Sequence, residues 1–149
     1  MSSREILTDK AKAAIDKKAL YGEDVDFSKF VDQGTEDALI PDLSVLPAER
    51  KHELESIGLD TSGMGRAGTY MQMDHSVVHC DIAADGVEIL STDAALKCHA
   101  WLEDYWWRAV APDADKFTAR AALHQEHGYF IRALAGQKVQ EPVQACLYI

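Results

Sequence analysis

The chain has no long apolar run. Nothing in its 149 residues approaches the ~20 consecutive apolar side chains that cross a bilayer. The N-terminus, MSSREILTDKAKAAIDKKALYGEDVD, mixes charges throughout and holds no stretch of signal-peptide character. Positive charge is also scarce: 15 Lys and Arg stand against 25 Asp and Glu, a formal charge of −10. That balance argues against nucleic acid, anionic membrane surfaces and phosphate-rich substrates held by generic electrostatics. Cysteine is sparse. Cys80, Cys98 and Cys146 are odd in number and widely spaced, so no disulfide framework is expected and a reducing, cytoplasmic setting is the simpler reading.

What is present is globular composition, 47% hydrophobic and 27% charged, in a length that suits one ordinary domain with a core. Residues 2–20 read as a helix: Ser2 and Glu5 have capping-box spacing, and Ile6, Ala11, Ala14 and Ile15 form a thin apolar stripe. So thin a stripe must lean on another element. Residues 22–45 read as an extended segment, with Gly34, Pro41 and scattered apolar side chains such as Val25, Phe27, Phe30 and Val31. Pro47 opens a short helix closed by Gly58, with Leu54 and Ile57 as its anchors.

The character changes after TSGMGRAG at 61–68. TYMQMDHSVVHCDIA reads as strand, followed by a turn at Asp85-Gly86 and VEIL. Ser91 or Thr92 caps a helix expected from about Asp93 to Val110, with Leu102, Tyr105 and Trp106 as its core stripe. Trp101 and Trp107 fall off that stripe, and at least one is expected to be exposed as a contact residue. A second helical run starts at Asp113 and ends at Gly128. Strands resume as GYFIRAL, KVQ and VQACLYI, broken by Ala135-Gly136 and Pro142. The final strand is apolar to Ile149, so a truncated chain, or the first part of a longer one, is expected, with self-association through that strand's edge.

Familiar catalytic and metal motifs are missing. His75 and His79 on one strand face, with Cys80 on the other and Cys98 and His99 downstream, are the weak candidates for metal. No CxxC or HxxxH spacing completes a ligand set, and a small buried cysteine among polar histidines is the plainer reading. HQEH at 124–127 has the wrong order for a zinc protease helix. The glycines of SGMGRAG precede a strand instead of following one, which suits a glycine-rich entry into a sheet and not a phosphate loop. No nucleophile elbow is present, and Cys80 has no base identifiable from the sequence. The chain is therefore expected not to be an enzyme.

Two stretches carry a resemblance: GRAGTYMQMDHSVVHC at 65–80 and DKFTARAALHQEHGYFIRALAGQKVQEPVQACLYI at 115–149. They resemble the N-terminal portion of the SufB/SufD family of iron–sulfur cluster assembly scaffolds, whose pattern HGYFIRVPKGVKVEEPIQ leads into the first strands of a β-helix. The likeness covers residues 60–149 well and the N-terminal third loosely, and looks nearest to the shorter archaeal and bacterial SufB-like members. It implies an α+β chain in which an N-terminal helical region leads into the first strands of a right-handed β-helix. The expected division is 1–60 helical and extended, 61–127 mixed strand and helix, and 128–149 the start of the β-helix, its rungs punctuated by Gly136 and Pro142. It also implies work in a SufBCD complex with a SufC-like ATPase and a SufB/SufD-type partner. An iron–sulfur cluster is implied for the family. For this segment Cys80, Cys98 and Cys146 are only weak candidates to touch one, and no bound cofactor is expected. The alternative is a free-standing small α+β binding or regulatory module without assembly activity.

Overall fold

The computed structural model describes residues 3–30, 37–74, 76–124 and 128–148. Among the described residues, four α-helices and five strands make a mixed α+β chain, in the order two helices, three strands, two helices and two strands. The helices are α1 (Ser3–Ala14), α2 (Ala48–Ser56), α3 (Thr92–Cys98) and α4 (Lys116–Leu123). The strands are β1 (Gly68–Met73), β2 (Ser76–Ile82), β3 (Val87–Ser91), β4 (Tyr129–Ala133) and β5 (Val143–Tyr148). The chain divides into two compact units, each made of two separated stretches. One comprises Met1–Gln33 with Leu96–Glu126, the other Gly34–Ala95 with His127–Ile149.

The first unit is helical. α1 is rich in Ala and Lys, which favour helix, and carries Glu5 in its first turn and Lys12 in its last, where each complements the helix dipole. Its thin stripe does lean on a partner: Ala11 and Ala14 pack against Ala119 of α4 with no exposure. Small side chains let the two helices approach closely. α4 begins at a capping box. Asp115 accepts from the backbone N–H groups of Phe117 and Thr118 at 3.0 Å, and the Thr118 hydroxyl accepts in return from Asp115 N–H.

The second unit holds both sheets. β1 is central in the three-stranded one, antiparallel to β2 and parallel to β5; β3 and β4 form an antiparallel pair. One face of β1 meets β3 through Ala67, Tyr70, Val87 and Ile89. The other carries Met71 and Val78 against Leu43, Leu54 and Leu59. α2 closes with paired bonds from Gly58 N–H to the Glu55 carbonyl and Leu59 N–H to the Leu54 carbonyl, with Gly58 at φ 92°.

Several expectations change here. The strand read through TYMQMDHSVVHCDIA is a hairpin: Asp74 adopts φ 46° and reverses the chain between β1 and β2. Ile57 is no anchor, being 53% exposed, because the Gly58 reversal carries Leu59 into the core instead. KVQ forms no strand, although Val139 packs against the Tyr70 cluster. The long helix expected to Val110 stops at Cys98. His99 leaves helical geometry, and a 3-10 turn over Ala100–Asp104 follows with no buried residue. Tyr105 is 71% exposed, so the stripe is not a core, while Trp101 is exposed as expected of one off-stripe tryptophan. Ser2, Val31, Gly34, His75, the Gln125–His127 part of the HQEH motif and Ile149 lie outside the described residues.

Candidate functional site

The second unit offers two chemically distinct places: the outer edge of β5 and a cleft on one face of its sheet. The edge follows from register. Pro142 and Tyr148 turn their carbonyls to Ala67 and Asp74 on the β1 side. Main-chain groups alternate along a strand, so those of Val143, Ala145 and Leu147 face away from β1. The strand VQACLY carries no charge or proline to guard that edge, and Leu147 is 58% exposed. On the inner side β5 is tied firmly. Gln144 makes a double amide bond with the Asp60 backbone, accepting at 2.8 Å and donating at 3.1 Å. Tyr148 donates to Glu53 at 2.6 Å.

The cleft depends on an irregularity in β2. Met71 pairs with His79 and Gln72 with Val77, leaving Val78 unpaired in a bulge. The bulge departs from strict alternation and leaves the adjacent Val78 and His79 both buried. The His79 Nδ1 lies 2.7 Å from the Ile40 carbonyl oxygen. An acceptor there requires the proton on Nδ1, so the neutral ring presents Nε2 as a bare acceptor. His79, Asp81, Thr69 and Arg66 line an open space of about 330 Å³.

The sequence candidates do not converge on one centre. Tyr70 pairs with Cys80, and Met71 pairs with Cys146. Neighbouring residues of β1 point to opposite faces, so the two thiols lie on opposite faces of one sheet. Cys80 is an exposed residue and not the small buried one expected, and it is His79 that is buried. Partial desolvation raises the Cys80 thiol above its ordinary value, with the Asp81 charge adding to it, and its Sγ lies 3.6 Å from the Ile89 carbonyl oxygen. Cys146 is raised by burial alone and sits against the Leu54 cluster. Cys98 is an exposed residue at the end of α3. Among the described residues, no group of three or more His, Cys, Asp or Glu side chains is placed to hold a metal ion. The sequence reading missed Arg66, Asp81 and the Val78 bulge; Asp81, two residues after His79 on a strand, was the available signal for the cleft.

The second unit thus presents two candidate surfaces, an open strand edge and a polar cleft. No family model matches the chain. Among curated proteins, two iron–sulfur cluster assembly SufBD family proteins of Methanothermobacter thermautotrophicus, strains Winter and Delta H, are each 40% identical over 145 residues. Each match covers 94% of this chain and 35% of the relative. The iron–sulfur cluster assembly protein SufB of Bacillus subtilis is 29% identical over 106 residues, 67% of this chain and 23% of its own length. The chain is therefore a relative of the SufBD family, and it spans about a third of the length of the curated relatives it matches. Among the described residues no helix is long and apolar enough to cross a membrane.

Proposed function

We propose that this chain is the N-terminal part of a SufB/SufD-like scaffold for iron–sulfur cluster assembly, working in the cytoplasm with a SufC-type ATPase and a second SufB/SufD-type subunit. The observation that supports this is the 40% identity to SufBD family proteins, which runs through 94% of the chain and so includes stretches of both units. In this reading the segment is not an enzyme, and the nascent cluster is cargo of the whole assembly. The parallel pairing of β1 with β5 suits the role. A parallel edge accepts further parallel strands, so β5 is the surface on which a right-handed β-helix continues.

The test is a deletion of the gene in its host, followed by activity measurements on iron–sulfur enzymes and on matched enzymes without clusters. The expected result is a selective loss of the cluster enzymes under iron limitation, restored by the intact gene. Unchanged cluster enzymes would overturn the proposal and favour a free-standing binding module.

A further inference from the structure

The turn after α3 carries large side chains that the core does not use. Ala100–Asp104 forms a 3-10 turn in the first unit with no buried residue. His99, Trp101 and Tyr105 gather there into one surface cluster. The His99 and Trp101 rings lie 5.8 Å apart, and Trp101 meets Tyr105 edge to face at 5.9 Å. Trp101 is 44% exposed and Tyr105 71%. Beside them stands a carboxylate. Side chains three apart share a face of a 3-10 turn, which puts Asp104 on the Trp101 side. Asp104 is exposed, and its carboxylate makes no ion pair or hydrogen bond among the described residues. Arg108 bonds the Asp104 main chain instead, its Nε donating to the carbonyl at 2.9 Å. Glu103 lines a small hollow with Arg4 and Lys97, so its charge is offset there and Asp104 is the one left to a partner.

Three terms favour the same kind of occupant. The faces of tryptophan and tyrosine rings attract cations. The unpaired Asp104 carboxylate does the same, and the chain's formal charge of −10 draws basic partners toward it. An acidic segment or a nucleic acid would be repelled. A second copy docked patch to patch would set Asp104 against Asp104. Arginine answers both features, because its planar guanidinium stacks on aromatic rings and its fork of donors matches a carboxylate.

We propose that the surface at 99–105 docks an arginine-bearing basic segment of a partner protein, its guanidinium groups on Trp101 and Tyr105 and beside Asp104. The surface lies in the first unit and is independent of the scaffold role. The test is titration of the 149-residue chain with end-blocked tetra-arginine, tetra-lysine and tetra-glutamate peptides at fixed ionic strength, read by tryptophan fluorescence. Tetra-arginine is expected to change the fluorescence saturably, about threefold or more tighter than tetra-lysine, and tetra-glutamate to leave it unchanged. Tyr105→Ala and Asp104→Asn, both at exposed positions, are each expected to weaken tetra-arginine about fivefold. Either decides the matter if the other does not fold. Glu49→Gln removes the same charge from an exposed position of α2 in the second unit, and is expected to leave binding within about twofold. No saturable change with tetra-arginine, tetra-lysine binding as tightly, a Tyr105→Ala chain that binds undiminished, or equal weakening by Asp104→Asn and Glu49→Gln would each overturn the proposal.

Discussion

Gly68 is the residue at which the second unit has least room. A Cβ there would lie 2.5 Å from the Ile89 Cδ1 and 2.6 Å from the Asp81 carbonyl oxygen, and the latter belongs to a paired strand that cannot step aside. Gly68→Ala is expected to cost about 1–3 kcal/mol in a urea melt. Gly63→Ala meets no neighbour, and its cost is confined to the strain of φ 68°. The sequence SGMGRAG shows a glycine-rich entry into a sheet. Which glycine matters is set by residues 81 and 89, brought near only by folding.

Tyr70 gives a pH signature. It is fully buried, donates to the Gly128 carbonyl at 2.9 Å, and its phenol is pushed up to about 12, chiefly by burial. The folded state therefore holds this proton more tightly than the unfolded chain, whose ordinary value is 10.0. That stabilisation is fully present below pH 10 and is lost as pH rises toward about 12. Tyr70→Phe is expected to cost about 1–2 kcal/mol at neutral pH, through the orphaned carbonyl, and to flatten the alkaline decline. Equal alkaline declines in both proteins, followed by denaturation at several pH values, would contradict this assignment.

At the scale of elements, α4 depends on its cap. The backbone N–H of Thr118 first, then that of Leu20, hold the Asp115 carboxyl below its ordinary value of 3.8. A depressed folded value means stability present above the ordinary carboxylate range and lost as pH falls through the folded value. Asp115→Ala is expected to destabilise the first unit at neutral pH and to remove that acid-side loss, whereas Asp115→Asn keeps most of the cap. The sequence reading placed the start of this helix at Asp113; the reciprocal Asp115–Thr118 spacing was in view and gives the true start. α2 was legible at both ends from Pro47 and Gly58. The aromatic run WLEDYWW was not. Its helical spacing suggests a buried stripe, yet Leu102 and Trp106 are only half-buried and Trp107 adopts φ 53°. Periodicity reports a face only where a partner exists to cover it.

β5 carries the last prediction at this scale. Its outer edge is unguarded, so the chain is expected to self-associate at high concentration through that strand. Leu147→Lys, a change at a residue already 58% exposed, should shift the light-scattering mass toward monomer without changing the melting temperature. A mass that is monomeric and independent of concentration for the parent chain would contradict it.

At the scale of the whole molecule, the two units interleave in sequence, and β1 finds its parallel partner about 75 residues away. Local patterning located most helices and strands but could not supply that pairing, since VQACLY suits any neighbour. The family likeness was legible from residues 65–80 and 115–149 because those stretches carry distinctive aromatic, glycine and proline spacing. The match to the Methanothermobacter proteins extends over 94% of the chain, whereas the Bacillus subtilis SufB match covers 67% of it. The weak metal candidates could not be judged by spacing alone, because a two-face sheet separates Cys80 from Cys146 however near they stand in register.

The most direct test of the scaffold role is anaerobic affinity purification of the tagged natural gene product from its host, with its partners identified by mass spectrometry. The account predicts stoichiometric recovery of a SufC-type ATPase with the tagged protein. Recovery of the tagged protein free of any Suf-type ATPase, under conditions that recover a known Suf complex, would contradict it.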